Sequence, residues 1–399
     1  MIKRKIRRIF ERGGWLERHQ SHVASPDGAS VLRMMRATTL PDPSQFLKQA
    51  IESGPVVYDP DRECWVVVKH ALVREALINE RLFSSEYIKE FDPFLAGMDG
   101  EGHDFFASIL KRSAAWFDTQ FMQSFTRNWM DGFLQRSKTK GSFDAVNEIG
   151  IVLPREFTIQ FLGLSPEESQ RVLSVLKAPR SDIDKVLHPV GRQFTEIIKQ
   201  RNQLSDQRTG LLAALMESEE KLSHFQVMQL IRHIWFAGTI TLTGLIPACI
   251  LRLCCDHDLI SRLRDHPEKV KHFVSEVLRI ESITQFVPRK CAADTVLGNQ
   301  RMSEGHLVLL HLAAANRDPE IFENPNEIQW DRTPYKHLAF GAGPHSCLGR
   351  VIAMNIAETC IKELVNGFSD LQLASAKATL PYERVVIFRA LRKFIVNVE

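Results

Sequence analysis

The sequence has no marked excess of charge of either sign, since 51 Lys and Arg face 48 Asp and Glu, a formal net charge of +3 over 399 residues. So small an imbalance gives no support to nucleic-acid binding across the whole surface. Hydrophobic residues make up 44% and charged residues 25%, which excludes disordered, collagenous and disulfide-scaffold classes. We find no internal repeat and no break in composition, so a single globular domain is expected.

The cysteines also lack a pattern. No pair has the spacing of a zinc site or a redox motif, and their number is odd. The seven are Cys64, Cys249, Cys254, Cys255, Cys291, Cys347 and Cys360. A reducing compartment, the cytoplasm, fits this usage best.

The N-terminal sequence MIKRKIRRIFERGGWLERH is basic but lacks the apolar stretch and small-residue cleavage site of a secretory signal. We expect no export by that route, and we divide the chain into a basic extension, residues 1–30, and a domain, residues 31–399. If the extension is helical, Ile2, Ile6 and Ile9 share a face among basic residues, which suits an anionic membrane surface or an acidic partner. A frayed, solvated extension is the alternative.

One uncharged stretch, Ile234 to Leu251, approaches the length of a membrane-spanning helix. It contains two glycines, three threonines and Pro247, and it lies between ordinary amphipathic segments. We therefore predict a helix buried in protein and no membrane span.

Helical periodicity dominates the rest of the chain. The predicted helices are Pro43–Ser53, Lys69–Asn79, Asp104–Gln135, Ser165–Lys177, Val190–Asp206, Gln226–Cys255, His257–His266, Pro267–Glu281 and Leu348–Phe368. Strands are few: a hairpin of Val56–Tyr58 with Cys64–Lys69, and one or two strands within Val296–Leu310. The pattern predicts a mainly α fold with minor β-sheet.

The most informative string is FGAGPHSCLG at residues 340–349, a glycine-rich loop that places Cys347 just before a helix. A thiolate needs its charge stabilised, and N–H groups at a turn leading into a helix N-terminus supply donors and a favourable dipole. Glycines in such a loop let the backbone approach a flat cofactor closely. Taken alone, the loop could equally be a structural turn around a buried thiol.

These ten residues resemble the cysteine-ligand loop of the cytochrome P-450 family, where an aromatic residue, glycines, a basic residue and the ligand cysteine recur in this order. The resemblance covers roughly Val56–Leu373. It implies the cytochrome P-450 fold, a helix-rich single domain with small sheets and haem between the oxygen-binding helix and the cysteine loop. The cofactor would be heme b (iron protoporphyrin IX), with Cys347 as iron ligand and Phe340, Gly341 and Gly349 against the cofactor.

Glu276-Val277-Leu278-Arg279 supports the resemblance by its position about seventy residues before the cysteine, where the family has a glutamate–arginine pair. As a bare pattern, two charges three residues apart on a helix most often form a solvated ion pair. The resemblance implies a buried pair that fixes the long loop together with a third arginine. Here Glu327 stands at that third position, so we expect Arg332 to substitute.

The resemblance also implies which basic residues bind the haem propionates, since burying such groups requires cationic donors. They are Arg289, His345 and His103. The family often has an arginine four residues after the last of these, but this chain has Ala107, which leaves Arg112 as a candidate substitute. For His103, an ordinary surface histidine is the alternative.

Ala237-Gly238-Thr239-Ile240-Thr241 resembles the family's oxygen-binding helix, where small residues, here Ala237 and Gly238, thin the wall above the iron and a threonine, here Thr241, follows. Activation of dioxygen consumes two protons, so this hydroxyl and its water chain decide between useful oxidant and peroxide. The family's acid before the threonine is replaced by Ile240, which cannot relay a proton. We expect delivery through Thr241 and water, although the threonines could merely bond to carbonyls of their own helix.

Substrate contacts follow from the resemblance as well. The pocket candidates are Phe91, Phe94, Leu95, Ile240, Phe286, Val287 and Ile387. Their apolar and aromatic character suggests a small apolar or aromatic organic substrate, free or carrier-bound. The resemblance implies a cytoplasmic, monomeric monooxygenase, which we place in specialised-metabolite biosynthesis.

The sequence shows no flavin or nicotinamide fingerprint and no cysteine cluster for an iron–sulfur centre. Electrons must then come from a ferredoxin or flavodoxin with its reductase, docked near Arg350, Lys111 and Arg112, unless these residues are simply solvated. Two other functions stay open. The loss of the acid at Ile240 favours a peroxide-using or non-oxygenating haem-thiolate enzyme, and a non-catalytic haem-binding scaffold or gas sensor belongs to another class.

Overall fold

The computed structural model describes residues 37–60, 63–89, 92–114, 118–176, 183–203, 209–330, 332, 336–383 and 387–399, without the side chains of residues 183–187 and 257. The basic extension, residues 1–30, lies outside the described residues, and so does Phe91.

Helices carry most of the described chain, as predicted. The α-helices are α1 (Ser44–Glu52), α2 (His70–Ile78), α3 (Gly100–Ser113), α4 (Thr119–Lys140), α5 (Val152–Leu162), α6 (Pro166–Ser174), α7 (Ile183–Arg201), α8 (Gly210–Met216), α9 (His224–Cys255), α10 (His257–Asp265), α11 (Val270–Glu281), α12 (Leu312–Ala315) and α13 (Arg350–Gly367). A π-helical turn, Ala145–Gly150, precedes α5.

Three predictions of secondary structure were wrong. The single helix predicted over Asp104–Gln135 is two helices, because the Asp118 carboxylate accepts a hydrogen bond from the N–H of Phe121 at 2.7 Å and so caps a new start. Val296–Leu310 holds three strands, since Gly298 and Asn299 both have positive φ and close a tight hairpin. The helices α5, α8 and α12 were not predicted, and neither was the strand of residues 286–291.

The strands form small sheets. They are β1 (Val56–Asp59), β2 (Cys64–Val67), β3 (Phe83–Ser84), β4 (Ser142–Asp144), β5 (Phe286–Cys291), β6 (Thr295–Leu297), β7 (Gln300–Met302), β8 (Leu307–His311), β9 (Leu371–Leu373) and β10 (Ile395–Val398). The largest sheet has the order β1-β2-β8-β5-β3, with β2 and β8 parallel. The others are β4-β10-β9 and β6-β7.

The longest helix, α9, crosses the main hydrophobic core and packs against α5, α7, α11 and α13. It begins with a capping box, in which the hydroxyl of Ser223 and the side chain of Gln226 satisfy each other's backbone N–H groups. Its length and composition are those of a membrane-spanning helix, but most of its apolar window is buried within the protein. The described helix thus has the buried environment that the sequence predicted.

Candidate active site

The cysteine loop is a tight turn in front of α13. Cys347 donates its backbone N–H to the carbonyl of Phe340 at 2.9 Å, which closes the loop. Gly341 and Gly343 have φ of +69° and +72°, in the left-handed region. A Cβ on Gly343 would lie 2.8 Å from the Cα of Ile78, so this glycine lets the end of α2 pack directly under the loop.

The side chain of Cys347 is exposed, yet the surrounding protein excludes part of the water near its sulfur, and this desolvation raises the pKa of the thiol. Both conditions hold where a sulfur atom faces into a recess. The backbone N–H of Gly349 and the charge of Arg350 act in the opposite direction and favour the thiolate. These are the donors that a thiolate ligand needs when it binds iron.

Two histidines predicted for the propionates lie together. The ring centroids of His103 and His345 are 4.3 Å apart, and the Nε2 of His345 lies 3.0 Å from a carboxylate oxygen of Asp99. Burial opposes ionisation of Asp99, but hydrogen bonds from His345, Ser84 and Ser85 lower its pKa to about 2. Because Nε2 of His345 faces Asp99, Nδ1 is its remaining ring nitrogen, and Nδ1 can donate to a second anion when the ring is protonated.

Arg289 meets the test for an anionic group of a cofactor. Its side chain is buried, its guanidinium donates to the carbonyl of Pro288 at 2.9 Å, and it forms no ion pair with any described residue. Burial lowers its pKa to about 10, although the charges of Asp99 and Glu80 oppose this. A buried cation without a bound acid, which interacts with the charge of the Asp99 carboxylate that binds His345, fits a haem propionate.

The sequence interpretation missed Asp99 and Glu80. Asp99 precedes α3 and has the residue type of an N-cap, but its carboxylate makes no cap hydrogen bond and binds Ser84, Ser85 and His345 instead. A cap signal in the sequence therefore concealed a residue that orients a histidine of the candidate site.

Arg112 does not replace the arginine missing at Ala107. Ala107 is buried in the main core, whereas the exposed side chain of Arg112 contacts Glu220. The expectation that Arg112 substitutes was wrong. Arg112 follows Ala107 by five residues on α3, and this spacing places its side chain on a different face of the helix from His103 and Ala107.

The structure joins Glu276, Arg279 and Arg332. The Nε and Nη2 of Arg279 donate to the two carboxylate oxygens of Glu276 at 2.8 and 2.9 Å, and the Nε of Arg332 donates to Oε2 at 3.0 Å. Both members of the helical pair are buried. Although burial opposes ionisation, these arginines keep the pKa of Glu276 below its ordinary value.

Arg279 extends from this pair into the long loop. It donates to the carbonyls of Asn316 at 3.0 Å, Pro325 at 2.7 Å and Glu327 at 3.0 Å. Residue 327 thus contributes its backbone, while its side chain is exposed. This explains how glutamate can stand where the resemblance implies arginine.

The threonines near the middle of α9 hydrogen-bond within the helix. Thr239, Thr241 and Thr243 donate to the carbonyls four residues before them at 2.7, 2.8 and 2.6 Å. Gly238 differs from its expected role, since a Cβ there would lie 3.0 Å from the hydroxyl of Thr158 on α5. The small size of Gly238 therefore serves the packing of two helices.

The pocket candidates separate into two groups. Phe286 was wrongly placed in the pocket, because it is buried on one face of the large sheet and stacks on His311 at 4.1 Å. Successive strand residues alternate between faces, so Val287 packs on the other side with Leu338 and Ala342 of the cysteine-loop region.

The remaining candidates surround α9. Phe94 and Leu95 pack on the main core, and Ile240 is half-buried on α9. The carbonyl of Ile387 accepts the N–H of Gln285, and the next residue, Phe388, lies 6.1 Å from Phe236 of α9 between ring centroids. The turn at 387–388 therefore reaches the helix beside Ala237.

The comparison with known families decides the identity. The profile of the family described as cytochrome P450 matches residues 168–388, more than half of the chain. The chain belongs to the cytochrome P450 family. The predicted family, fold and oxidoreductase class are confirmed, and membership implies haem as the cofactor.

Proteins similar to this P450 include bacterial P450s. It is 25% identical to a putative cytochrome P450, YjiB, of Bacillus subtilis over 87% of this chain and 91% of the relative. It is 33% identical over 208 residues, 52% of each chain, to the biotin biosynthesis cytochrome P450 of Bacillus subtilis. The structure of P450BioI in complex with hexadec-9Z-enoic acid ligated acyl carrier protein superposes with a TM-score of 0.78 at 22% identity, covering 90% of this chain and 98% of that one.

Proposed function

We propose that this P450 is a monooxygenase in which the thiolate of Cys347 would bind the iron of heme b. The single observation that carries the proposal is the cysteine loop, which presents an accessible sulfur beside the N–H of Gly349, at the N-terminal end of α13. Phe340, Gly341 and Gly349 form the backbone against which the porphyrin would lie.

Basic residues would hold the propionates. Arg289 supplies a buried guanidinium, and His345, oriented by Asp99 through Nε2, presents Nδ1. His103 lies against His345, and burial lowers its pKa, so it is best suited to act as a neutral donor. The Glu276, Arg279 and Arg332 cluster would hold the loop that precedes the cysteine.

When bound, haem supplies the iron at which dioxygen is activated with two electrons. The chain must deliver protons and exclude bulk water. Thr241 donates its own proton to the carbonyl of Ala237, so its oxygen remains free to accept from water and to position it. Ile240 adds an apolar wall and no acid, so water is the immediate proton source.

We further propose a small apolar or aromatic substrate, because the described candidates are apolar: Phe94, Leu95, Ile240 and Ile387 near α9, and Val287 beside the cysteine loop. Because the similar P450BioI forms a complex with hexadec-9Z-enoic acid ligated acyl carrier protein, both free and carrier-bound compounds should be tested. A ferredoxin or flavodoxin with its reductase would supply electrons to a cytoplasmic, monomeric enzyme in specialised metabolism.

The test is the spectrum of the reduced protein with carbon monoxide. We expect a red-shifted Soret band in the wild type and its loss in Cys347→Ser, which still offers an oxygen but no thiolate. Cys255→Ser is the matched control, because Cys255 is also an exposed free thiol and lies at the end of α9. A red-shifted band that survives in Cys347→Ser, or its absence from haem-loaded wild type, would refute the ligand assignment.

Ile240 favours one second candidate, a haem-thiolate enzyme that uses peroxide and so needs no proton relay for dioxygen. Substrate turnover with peroxide, and none with ferredoxin, reductase and NAD(P)H, would select it.

A further inference from the structure

Residues 92–98, here called the 92–98 loop, are organised around one carboxylate. Oδ1 of Asp92 accepts the backbone N–H groups of Phe94 at 3.3 Å and Leu95 at 3.2 Å. The backbone carbonyl of Asp92 accepts the N–H of Gly97 at 3.0 Å. A Cβ on Gly97 would lie 2.4 Å from the backbone of Lys89, so the loop is tightly folded on itself.

The second carboxylate oxygen leaves the loop and reaches α9. Oδ2 of Asp92 contacts Nδ1 of His233, and the two side chains are 13% and 22% exposed. His233 lies four residues before Ala237 on the same helix. Burial opposes ionisation of Asp92, but its contact with His233 and the loop N–H groups keep the pKa of Asp92 below its ordinary value. Among the residues that the structure describes, the charge of Arg232 also acts on this carboxylate.

An aromatic contact fastens the same loop a second time. The ring of Phe94 lies edge-on to Phe225, in the first turn of α9, at 5.7 Å, and to Phe106 of α3 at 5.2 Å. Leu95 is buried in the main core. Thus Phe94 and Leu95, two of the pocket candidates, are held by a loop whose polar tie to α9 is Asp92.

We infer that the Asp92–His233 pair is a clasp that holds the 92–98 loop on α9 and sets how readily a ligand enters and leaves the substrate pocket. The inference rests on the proposed function, which places the pocket beside this part of α9. One carboxylate binds the loop with one oxygen and the helix with the other, so breaking its contact with His233 removes the polar tie between the loop and α9 and leaves only the apolar contacts of Phe94 and Leu95. Asp92 and His233 are positioning residues, because they act through Phe94 and Leu95.

Two variants separate the clasp from the internal fold of the loop. Asp92→Asn keeps an oxygen that can accept from Phe94 and Leu95 but loses the charge. His233→Gln leaves the loop sequence intact and removes the ring that meets Oδ2. Glu86→Gln is the matched control, because Glu86 pairs with Lys290 at 2.7 Å and so ties the neighbouring segment to β5 instead of α9.

The first measurement is hydrogen exchange of the backbone N–H groups in residues 92–98. We expect exchange to accelerate by at least about fivefold in both clasp variants, the effect of losing one charge-assisted hydrogen bond. The Asp92→Asn/His233→Gln double variant should exchange no faster than the faster single variant, because both changes break one contact. Exchange unchanged from wild type in His233→Gln, or equally accelerated in Glu86→Gln, would overturn the clasp. This readout does not depend on haem.

The second measurement is stopped-flow binding of 4-phenylimidazole to the ferric, haem-loaded protein. We expect both association and dissociation rates to rise by about fivefold or more in the clasp variants, with no such rise in Glu86→Gln. Carbon monoxide, small enough to pass a closed loop, should bind the reduced variants at the wild-type rate. Rates for 4-phenylimidazole within twofold of wild type would contradict the inference while the red-shifted carbon monoxide band still supports the proposed function.

Discussion

Residue 327 shows what a motif comparison of side chains cannot reveal. The long loop meets the buried pair through backbone carbonyls, including that of Glu327, while Arg332 supplies the third charged side chain. Glutamate at position 327, where the family has arginine, therefore leaves the Glu276, Arg279 and Arg332 cluster complete. The sequence indicated Arg332 as the replacement, but nothing in it indicated that a carbonyl would be used.

Glu276→Ala should lower the free energy of unfolding by about 3–5 kcal/mol, because Arg279 and Arg332 would lose their buried carboxylate. Urea unfolding followed by tryptophan fluorescence measures this change. Glu327→Ala removes an exposed carboxylate and keeps the carbonyl, so it should change the unfolding free energy by less than about 0.5 kcal/mol. Equal losses in the two variants would contradict the assignment of Glu327 to its backbone.

Thr241→Ala should raise the peroxide released per NAD(P)H consumed, with a substrate that shifts the haem spin state and a reconstituted ferredoxin and reductase. The oxygen of Thr241 is the polar atom that we propose positions water, and Ile240 offers no alternative acid. Thr243→Ala is the control, because Thr243 makes the same kind of bond one half-turn later and is more deeply buried. Unchanged coupling in Thr241→Ala would remove this hydroxyl from proton delivery.

The ends of three segments meet at Glu281, the last residue of α11. Its carboxylate accepts from Arg252 of α9 at 2.5 Å and from Arg389, which follows the 387–388 turn, at 2.9 Å. Arg389 also donates to the carbonyls of Thr38 at 3.1 Å and Leu40 at 2.6 Å. One buried carboxylate thus joins α11 to α9 and to the 387–388 turn, which itself contacts α9.

Although burial opposes ionisation, Arg252 and Arg389 hold the pKa of the Glu281 carboxyl well below its usual 4.5. A carboxyl with a lowered pKa stabilises the fold above the pKa of the unfolded chain, and this contribution is lost as the pH falls.

Glu281→Gln should therefore destabilise the protein by about 3 kcal/mol at pH 7. The difference from wild type should be smaller by about 1.4 kcal/mol at pH 3.5, since wild type alone loses the contribution of the charge. Urea unfolding at both pH values tests this. The exposed Glu52, paired with Lys48 at 3.8 Å, gives a surface control in which Glu52→Gln has little effect at either pH. A pH-independent difference for Glu281→Gln would refute the role of its charge.

Periodicity predicted the long helices because their apolar faces are long enough to be read locally. It failed where one capping residue divides a continuous pattern, as at Asp118, or where a two-residue turn divides strands, as at Gly298-Asn299. Periodicity did not predict β5, and the family resemblance could not tell which face of this strand lines the pocket, so Phe286 and Val287 were both assigned there. Strand register depends on partners far along the chain, here β8, and that is not local information.

The family could be identified from the sequence because its chemistry is concentrated in short strings around Cys347, Glu276 and Thr241. The contacts that complete the site join distant segments, such as Asp99 with His345 and Asp92 with His233. Each member is an ordinary residue in its own neighbourhood, so only the fold reveals the pair.

Docking of the electron donor is a property of the whole surface, and a charge-reversing substitution can test it. Arg350 lies over the ring of Phe340 at 5.6 Å and Arg112 contacts Glu220. Lys111, which is exposed near the C-terminal end of α3, is therefore the cation of the predicted docking patch that we choose for a test. We expect Lys111→Glu to slow reduction by an acidic ferredoxin about tenfold at low ionic strength, and the effect to fade near roughly 0.5 M salt, where screening is strong. Stopped-flow reduction under carbon monoxide measures the rate. Lys138→Glu, an equally exposed change near the end of α4, should have little effect, and an equal loss in both variants would show general charge repulsion instead of docking at Lys111.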